Sequence, residues 1–168
     1  MPPSAHFGLQ VALARVWQGW GIEPEAVFGW GFGEYAAACI AGVVSPEEGL
    51  RLALARDQLI SELNQDGSVL DAALDRVEQI ADTLDYFPAS LPVVSGVDGR
   101  AIPVQRLLGG SYWRRHGTAA PDLTRGFESL RSLSMDVSVA LGAVALDDCE
   151  KWTRYAETFV PTISPEQS

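Results

Sequence analysis

A strand-to-helix turn has the spacing of a nucleophile elbow but lacks the nucleophile. Within Val27–Tyr35, Gly29 and Gly33 lie two residues on either side of Gly31. In a Gly-x-Ser-x-Gly elbow the flanking glycines permit a sharp turn, and the central serine projects beside a backbone N–H that stabilises an oxyanion. Glycine has no side chain that can attack a carbonyl carbon. The segment therefore predicts a vestigial elbow or an ordinary glycine-rich turn, and neither can form a covalent acyl-enzyme at position 31.

Few side chains elsewhere in the chain offer an acid or a base. The chain has two histidines, His6 and His116, and the acidic candidates are Glu34 and Asp66. None of these has the sequence relationship of a nucleophile and its base, so catalysis through different residues is the least favoured alternative. The two cysteines, at positions 39 and 149, match no metal-ligand spacing and are expected to be unpaired thiols. We expect neither a metal nor a cofactor.

Alternating helices and strands must position these residues. Strands are predicted at Ala26–Trp30, Leu91–Ser95, Met135–Leu141 and Phe159–Ile163. Helices are predicted at Ser4–Trp20, Gly33–Ala41, Leu70–Leu84, Pro121–Ser132 and Ala145–Glu157, and after the capping box Ser45-Pro46-Glu47-Glu48, with a loop at Asn64–Ser68. This order predicts an α/β fold of three layers, in which helices cover both faces of a mostly parallel sheet. We expect one domain over residues 1–168, with 1–4 and 164–168 frayed.

Composition excludes several classes of partner. The net charge of -10 disfavours binding to nucleic acid and to anionic membranes. No apolar run reaches the roughly 18 residues that a membrane span needs, and the first residues lack the pattern of a signal peptide. We therefore expect a cytoplasmic protein.

The sequence around the elbow resembles a known family. The stretch Gly29–Gly42, GWGFGEYAAACIAG, is similar to the Gly-His-Ser-Leu-Gly-Glu-Tyr-Ala-Ala-Ala motif of acyltransferase domains of modular polyketide synthases, which are related to malonyl-CoA:acyl carrier protein transacylases. Further blocks are similar to this family in the same order: Val11–Pro24 and Ser45–Ile60 to the helices that flank its elbow, Leu91–Arg100 to its Pro-Val-Val-Ser-Asn-Val-Thr-Gly-Arg, and Ser111–Gly117 to its Tyr-Trp-Val-Arg-His.

The chain departs from this family at its catalytic positions. Gly31 occupies the position of the catalytic serine, and Trp30 that of the preceding histidine. The family's catalytic histidine corresponds to a point near Asp66–Ser68, where this chain has none. His116 matches a different histidine of the family. The resemblance therefore implies that nucleophile and base are both lost.

Two structural segments of the family also have no counterpart in this sequence. The family's ferredoxin-like subdomain corresponds to a gap that only Ser61–Gly67 fill, so we expect it to be deleted. The family begins with a strand and a Gly-Gln-Gly turn that supplies an oxyanion contact, and this sequence begins after them. Without that strand, the strand at Ala26–Trp30 is expected to have an open edge, covered by a partner, a second copy or a local rearrangement.

Other residues leave two interpretations open. Arg56 corresponds to the arginine that binds the extender carboxylate in carboxyacyl-selective members, so it marks either a residual carboxylate site or a helix arginine held by its neighbours. Trp30, Phe32 and His116 mark either a pocket or partner surface, or packing in the core.

The resemblance and the departures together imply a catalytically inactive, truncated acyltransferase-like domain. Its expected role is structural, docking or partner-recruiting in a polyketide synthase system. Expected partners are polyketide synthase domains, a separate acyltransferase, a carrier protein or a second copy of the chain. The alternative is a module that binds an acyl-CoA or carboxylate through Arg56 without chemistry.

Overall fold

The fold is seen in a computed structural model, which describes residues 3–104, 108–134, 137–143 and 158–163. The helices are α1 (Pro3–Gly19), α2 (Phe32–Ile40), α3 (Pro46–Gln65), α4 (Leu70–Asp82), α5 (Gly110–Thr118) and α6 (Leu123–Ser132). The strands are β1 (Val27–Phe28), β2 (Val93–Val94), β3 (Ala101–Ile102), β4 (Val137–Ala143) and β5 (Thr158–Ile163), and a 3-10 turn spans Gly67–Val69.

The described strands form two small sheets. In the first, β1 pairs in parallel with β2, and β2 pairs antiparallel with β3. In the second, β4 and β5 form a parallel pair. The expected α/β class is confirmed, and two of these three pairings are parallel. Within the described ranges β1 is an edge strand of its sheet, whereas a covering partner remains a prediction.

Strand β1 separates two apolar clusters. Val27 packs against the main core, which α1 to α5 build around buried residues such as Leu52 and Trp113. Phe28, the next residue, packs against Phe127 of α6 in a smaller cluster. Successive side chains of a strand point to opposite faces, so helices cover both sides of the sheet at this point. This is the three-layer arrangement that the sequence predicted.

The capping box at the start of α3 is confirmed. The hydroxyl of Ser45 accepts the backbone N–H of Glu48 at 3.1 Å, and the Glu48 carboxylate accepts the backbone N–H of Ser45 at 3.0 Å. The same carboxylate accepts the N–H of Asp85 at 2.8 Å, which ties the loop after α4 to the start of α3. These backbone hydrogen bonds hold the pKa of Glu48 below its usual value.

Local structure differs from the sequence prediction at several points. Helix α3 continues through Gln65, two residues into the predicted loop, and only the 3-10 turn separates it from α4, so the structure has no subdomain between these two helices, as expected. Ser4 belongs to α1 rather than to a frayed end, and its backbone N–H is bound by Asp57 at 2.9 Å. Neither β3 nor α5 was predicted. The helix predicted at Ala145–Glu157 lies outside the described residues.

Two further observations bear on the sequence-based expectations. Cys39 is buried and unpaired, and burial raises the pKa of its thiol to about 12, whereas the second cysteine lies outside the described ranges. None of the helices in the described ranges is both long enough and apolar enough to span a bilayer.

Replacing Ser45 with alanine should lower the free energy of unfolding by about 1 kcal/mol, because the capping hydroxyl that satisfies the Glu48 N–H is lost. Ser61→Ala, at an exposed position inside the same helix, is the matched control and should change it by less than about 0.5 kcal/mol. Urea unfolding followed by circular dichroism measures both. Equal effects of the two variants would contradict a stabilising cap.

Candidate functional site

The turn between β1 and α2 keeps the backbone shape of an elbow. Gly31 has φ 54° and ψ -128°, in the half of backbone space that favours glycine, and α2 begins at the next residue. Gly29 lies so close to the following helix that a Cβ there would meet the carbonyl oxygen of Gly33 at 2.3 Å. The sharp strand-to-helix turn predicted from the glycine spacing is therefore present.

Position 31 has room for a side chain that it does not have. A Cβ built on Gly31 would meet no heavy atom within 4 Å, apart from its chain neighbours. A Cβ on Gly33 would meet only the side-chain amide of Gln10, at 3.5 Å. The space in front of the turn is thus open where the central residue of an elbow would project.

A buried carboxyl group lies in the first turn of α2. Glu34 is 1% exposed. Its Oε1 accepts hydrogen bonds from the hydroxyl of Ser95 and the N–H of Gly96, each at 3.2 Å, and from the hydroxyl of Tyr112. These donors come from the end of β2 and from α5, so one carboxyl group joins three parts of the fold.

His116 of α5 lies beside this carboxyl group. Its Nε2 is 3.3 Å from Oε2 of Glu34, and its Nδ1 is 3.3 Å both from the hydroxyl of Tyr35 and from Nη1 of Arg56. An arginine can only donate, so Nδ1 must accept and the imidazole proton belongs on Nε2. Because His116 is 4% exposed, it is not part of the surface.

Arg56 of α3 is held by protein groups. Its Nη1 donates to the backbone carbonyl of His116 at 2.7 Å, in addition to the contact with the imidazole. The guanidinium therefore anchors α5 to α3. Of the two interpretations left open by the sequence, this geometry favours an arginine bound by its neighbours.

The two aromatic residues that flank Gly31 pack against other rings. Trp30 lies 5.5 Å from the ring of Phe28, in the cluster around α6. Phe32 lies 6.0 Å from the ring of Tyr35 and packs against the main core. Both are partly buried, which favours a packing role.

The remaining acidic candidate lies elsewhere. Asp66 follows the last residue of α3 and is exposed, and its carboxylate accepts the N–H of Ser68 at 2.9 Å. This local hydrogen bond lowers the pKa of Asp66. The residue shapes the turn into α4, and its hydrogen bond within the described residues is to Ser68 rather than to the elbow or His116.

Burial changes the protonation of the Glu34 and His116 pair. It raises the pKa of Glu34 from 4.5 to about 7, against the opposing effect of the hydrogen bonds from Tyr112, Ser95 and Gly96. Burial, reinforced by the positive charge of Arg56, lowers the pKa of His116 from 6.5 to about 3. The imidazole is therefore neutral at ordinary pH, and it lies beside a carboxyl oxygen, Oε2 of Glu34, that has no hydrogen-bond partner among the described residues.

The chemistry of this arrangement depends on position 31 and on the charge state of His116. No hydroxyl or thiol stands at position 31, and the single lone pair of the neutral His116 ring faces Arg56 and Tyr35. Burial and the contact with the Arg56 cation lower the basicity of this imidazole. The cluster holds the first turn of α2, next to the elbow, against β2 and α5.

Sequence reasoning named Glu34 and His116 separately and did not foresee their contact. The two residues are 82 positions apart, and the Ser111–Gly117 segment carried no helix prediction. The contact could have been anticipated from the Ser111–Gly117 block that resembles the family. In the structure this block is helical and places His116 one turn after Tyr112 and Trp113.

Comparison with known proteins identifies the family. Residues 4–90, half of the chain, match the acyl transferase domain family, and the chain belongs to it. Among its relatives, the PKS-NRPS hybrid synthetase ATPKS of Aspergillus niger is 43% identical over 82 residues, which cover 48% of this chain and 4% of the relative. The chain thus spans a small part of the relatives it matches.

A second relative and a solved structure extend the likeness to nearly the whole chain. The PKS-NRPS hybrid synthetase acdB of Aspergillus candidus is 26% identical over 242 residues, which cover 97% of this chain and 10% of the relative. Since this chain has only 168 residues, the alignment includes internal segments that it lacks. The acyl transferase domain of ZmaA has the same fold, with a TM-score of 0.85 at 20% identity, over 99% of this chain and 55% of that one.

Glu34 and His116 should have opposite effects on how the free energy of unfolding depends on pH, and these effects should cancel where their ranges overlap, between pH 4.5 and 6.5. Between pH 4.5 and 7 the folded chain keeps the Glu34 proton that the unfolded chain releases, so rising pH lowers the free energy of unfolding by roughly 1 kcal/mol per pH unit. Between pH 3 and 6.5, His116 is protonated in the unfolded chain but neutral in the folded chain. Rising pH therefore increases the free energy of unfolding by about the same amount per pH unit.

Single variants should separate these effects. Relative to wild type, Glu34→Gln should make the free energy of unfolding rise with pH between 4.5 and 6.5, because only the histidine effect remains. His116→Gln should make it fall over the same range. Glu128→Gln, at an exposed site on α6, should follow wild type. Urea unfolding at several pH values measures this, and parallel curves for all variants would contradict the buried pair.

Proposed function

We propose that this chain is a catalytically inactive acyltransferase-like domain with a structural and docking role in a polyketide synthase system. The observation that carries the proposal is Gly31, which stands without a nucleophile at the centre of an intact elbow. The neighbouring imidazole of His116 adds to it, since the lone pair of that ring is already used by Arg56. The polyketide synthase context comes from the relatives that the chain matches.

The structural role is supported by the well-packed main core next to the turn that contains Gly31. The main core includes the fully buried Trp113, which stacks 4.9 Å from the ring of Tyr35 in the second turn of α2. A chain that keeps such packing without its catalytic groups retains a defined shape that neighbouring domains can use. On this proposal the chain supports a neighbouring polyketide synthase domain, or it recruits a separate acyltransferase or carrier protein. Two copies of the chain could also associate through the edge of β1.

The wild-type chain should form no covalent adduct with malonyl-CoA or methylmalonyl-CoA, because no side chain at position 31 can attack the thioester. Gly31→Ser should also remain unacylated in the same incubation, because a missing general base costs about 10²–10⁴-fold in rate. Intact-protein mass spectrometry measures both. Circular dichroism should confirm that the variant folds, since serine at this positive φ costs about 1–3 kcal/mol.

A stoichiometric acyl adduct on the wild-type chain would overturn the proposal. Acylation of Gly31→Ser alone would show that a working base survives and would overturn the assignment of His116 as a structural residue. The docking role is tested separately by light scattering after mixing with the neighbouring synthase domain, the separate acyltransferase or the carrier protein. A chain that stays monomeric in all three mixtures would contradict it.

The alternative function is an acyl-CoA or carboxylate-binding module that uses Arg56. One observation favours it, because the buried Nε of Arg56 has no hydrogen-bond partner among the described residues. Calorimetry with malonyl-CoA distinguishes the two functions, and our proposal expects no binding heat. Binding that Arg56→Ala abolishes and Arg51→Ala, at an exposed position of the same helix, preserves would replace our proposal by this alternative.

A further inference from the structure

A cavity of about 120 Å³ opens beside the β2–β3 hairpin, and none of the residues that line it belongs to the elbow turn. Its polar lining comes from Ser95 at the end of β2, from Asp98 and Arg100 of the hairpin turn, and from Tyr112 and Arg115 of α5. Apolar side chains at positions 101–103 and 108 complete the wall. The cavity therefore lies at the junction of the hairpin and α5.

Two arginines, Arg100 and Arg115, line this cavity, and Asp98 is the one acidic residue of the lining. Within residues 3–104 and the other described ranges, neither Arg100 nor Arg115 forms an ion pair with a carboxylate. The preceding residue, Arg114, is by contrast surrounded by carboxylates. Its partners are Asp71, Asp75 and Glu78. The cavity is thus locally positive in a chain whose net charge is -10.

The one carboxylate of the cavity is committed to the backbone of the turn. Asp98 accepts the N–H of Arg100 at 3.2 Å, as aspartate often does in a tight turn. The guanidinium of Arg115 lies 5.8 Å from the centre of the Tyr112 ring, and this cation–π contact favours its position over the cavity wall. Both arginines are exposed and can therefore reach a ligand.

Two hydroxyl groups form the inner polar wall. The hydroxyls of Ser95 and Tyr112 lie 2.8 Å apart, and both also contact Oε1 of Glu34. When Glu34 is ionised, it accepts the hydrogens of these hydroxyls. When it is neutral, the hydroxyl hydrogens are free to turn towards the cavity, where they can be donated to a ligand.

We propose that this cavity binds a small oxyanion, either a carboxylate or a tetrahedral anion, between the guanidinium groups of Arg100 and Arg115. Arginine is suited to both shapes, because its planar fork donates two parallel hydrogen bonds. A cavity of about 120 Å³ has room for a small anion together with ordered water.

Occupancy of the site should be linked to protonation of Glu34. An anion next to the Ser95 and Tyr112 hydroxyls disfavours a second negative charge behind them, so it favours the neutral carboxyl group. The other groups that face Glu34 are the N–H of Gly96 and the neutral His116, with the charge of Asp98 nearby. The pKa of Glu34 is about 7, so this coupling falls in an accessible range of pH.

Titration of the full chain with sodium sulfate and with sodium acetate, at constant ionic strength, tests the proposal. The charges of sulfate and acetate stay nearly constant between pH 6 and 8. The anion with the higher affinity shows which shape the site prefers. Amide NMR signals of Gly96, Arg100 and Tyr112 should shift saturably as either anion is raised to about 0.1 M. Affinity should be several-fold higher at pH 6 than at pH 8, and Glu34→Gln should remove this difference.

Matched substitutions assign the site. Arg100→Gln and Arg115→Gln should each weaken binding about tenfold, because each removes a charge-assisted donor. Arg131→Gln, at an exposed position of α6, removes the same charge elsewhere and should leave the affinity unchanged. Unchanged thermal unfolding would show that the variants fold. Absence of saturable shifts, or equal weakening by Arg131→Gln, would overturn the proposed site, and equal affinity at pH 6 and 8 would overturn its coupling to Glu34.

Discussion

The buried carboxyl group of Glu34 is the constraint on which the rest of the site depends. A carboxyl group taken out of water is costly unless its oxygens are hydrogen-bonded. Here Oε1 accepts from donors at positions 95, 96 and 112, whereas Oε2 lies 3.3 Å from Nε2 of His116 without a hydrogen-bond partner among the described residues. Because these donors belong to the end of β2 and to α5, satisfying the carboxyl group fixes both against the first turn of α2. The elbow is held in place by the same contacts.

This network also determines what the elbow can do. It places Nδ1 of His116 against Arg56 and Nε2 beside the carboxyl group of Glu34. Burial of the ring and the charge of Arg56 keep the imidazole neutral, and in this state its Nδ1 accepts from Arg56 of α3. The same buried groups therefore set both the position and the charge state of the imidazole beside the glycine turn.

Membership of the acyl transferase domain family and the short length of the chain fit this arrangement. The chain covers about half of a solved acyl transferase domain with the same fold, and its third and fourth helices are separated by only a 3-10 turn. The helical core and both faces of β1 are nevertheless packed. The core of the fold can therefore be assembled without an additional subdomain between these helices, because its burial comes from α1 to α5.

The sequence by itself determined the features that depend on neighbouring residues. Glycine spacing predicted the elbow turn, the Ser45 and Glu48 pair predicted the start of α3, and apolar periodicity predicted most helices, because caps, turns and helix faces are set within a few residues. It also excluded a nucleophile at position 31, since that follows from residue type alone. Only the tertiary structure decided the roles of Glu34, His116 and Arg56. Their environments are made by contacts between residues 60 to 82 positions apart, and burial sets the charge states of Glu34 and His116 in a way that no local pattern records.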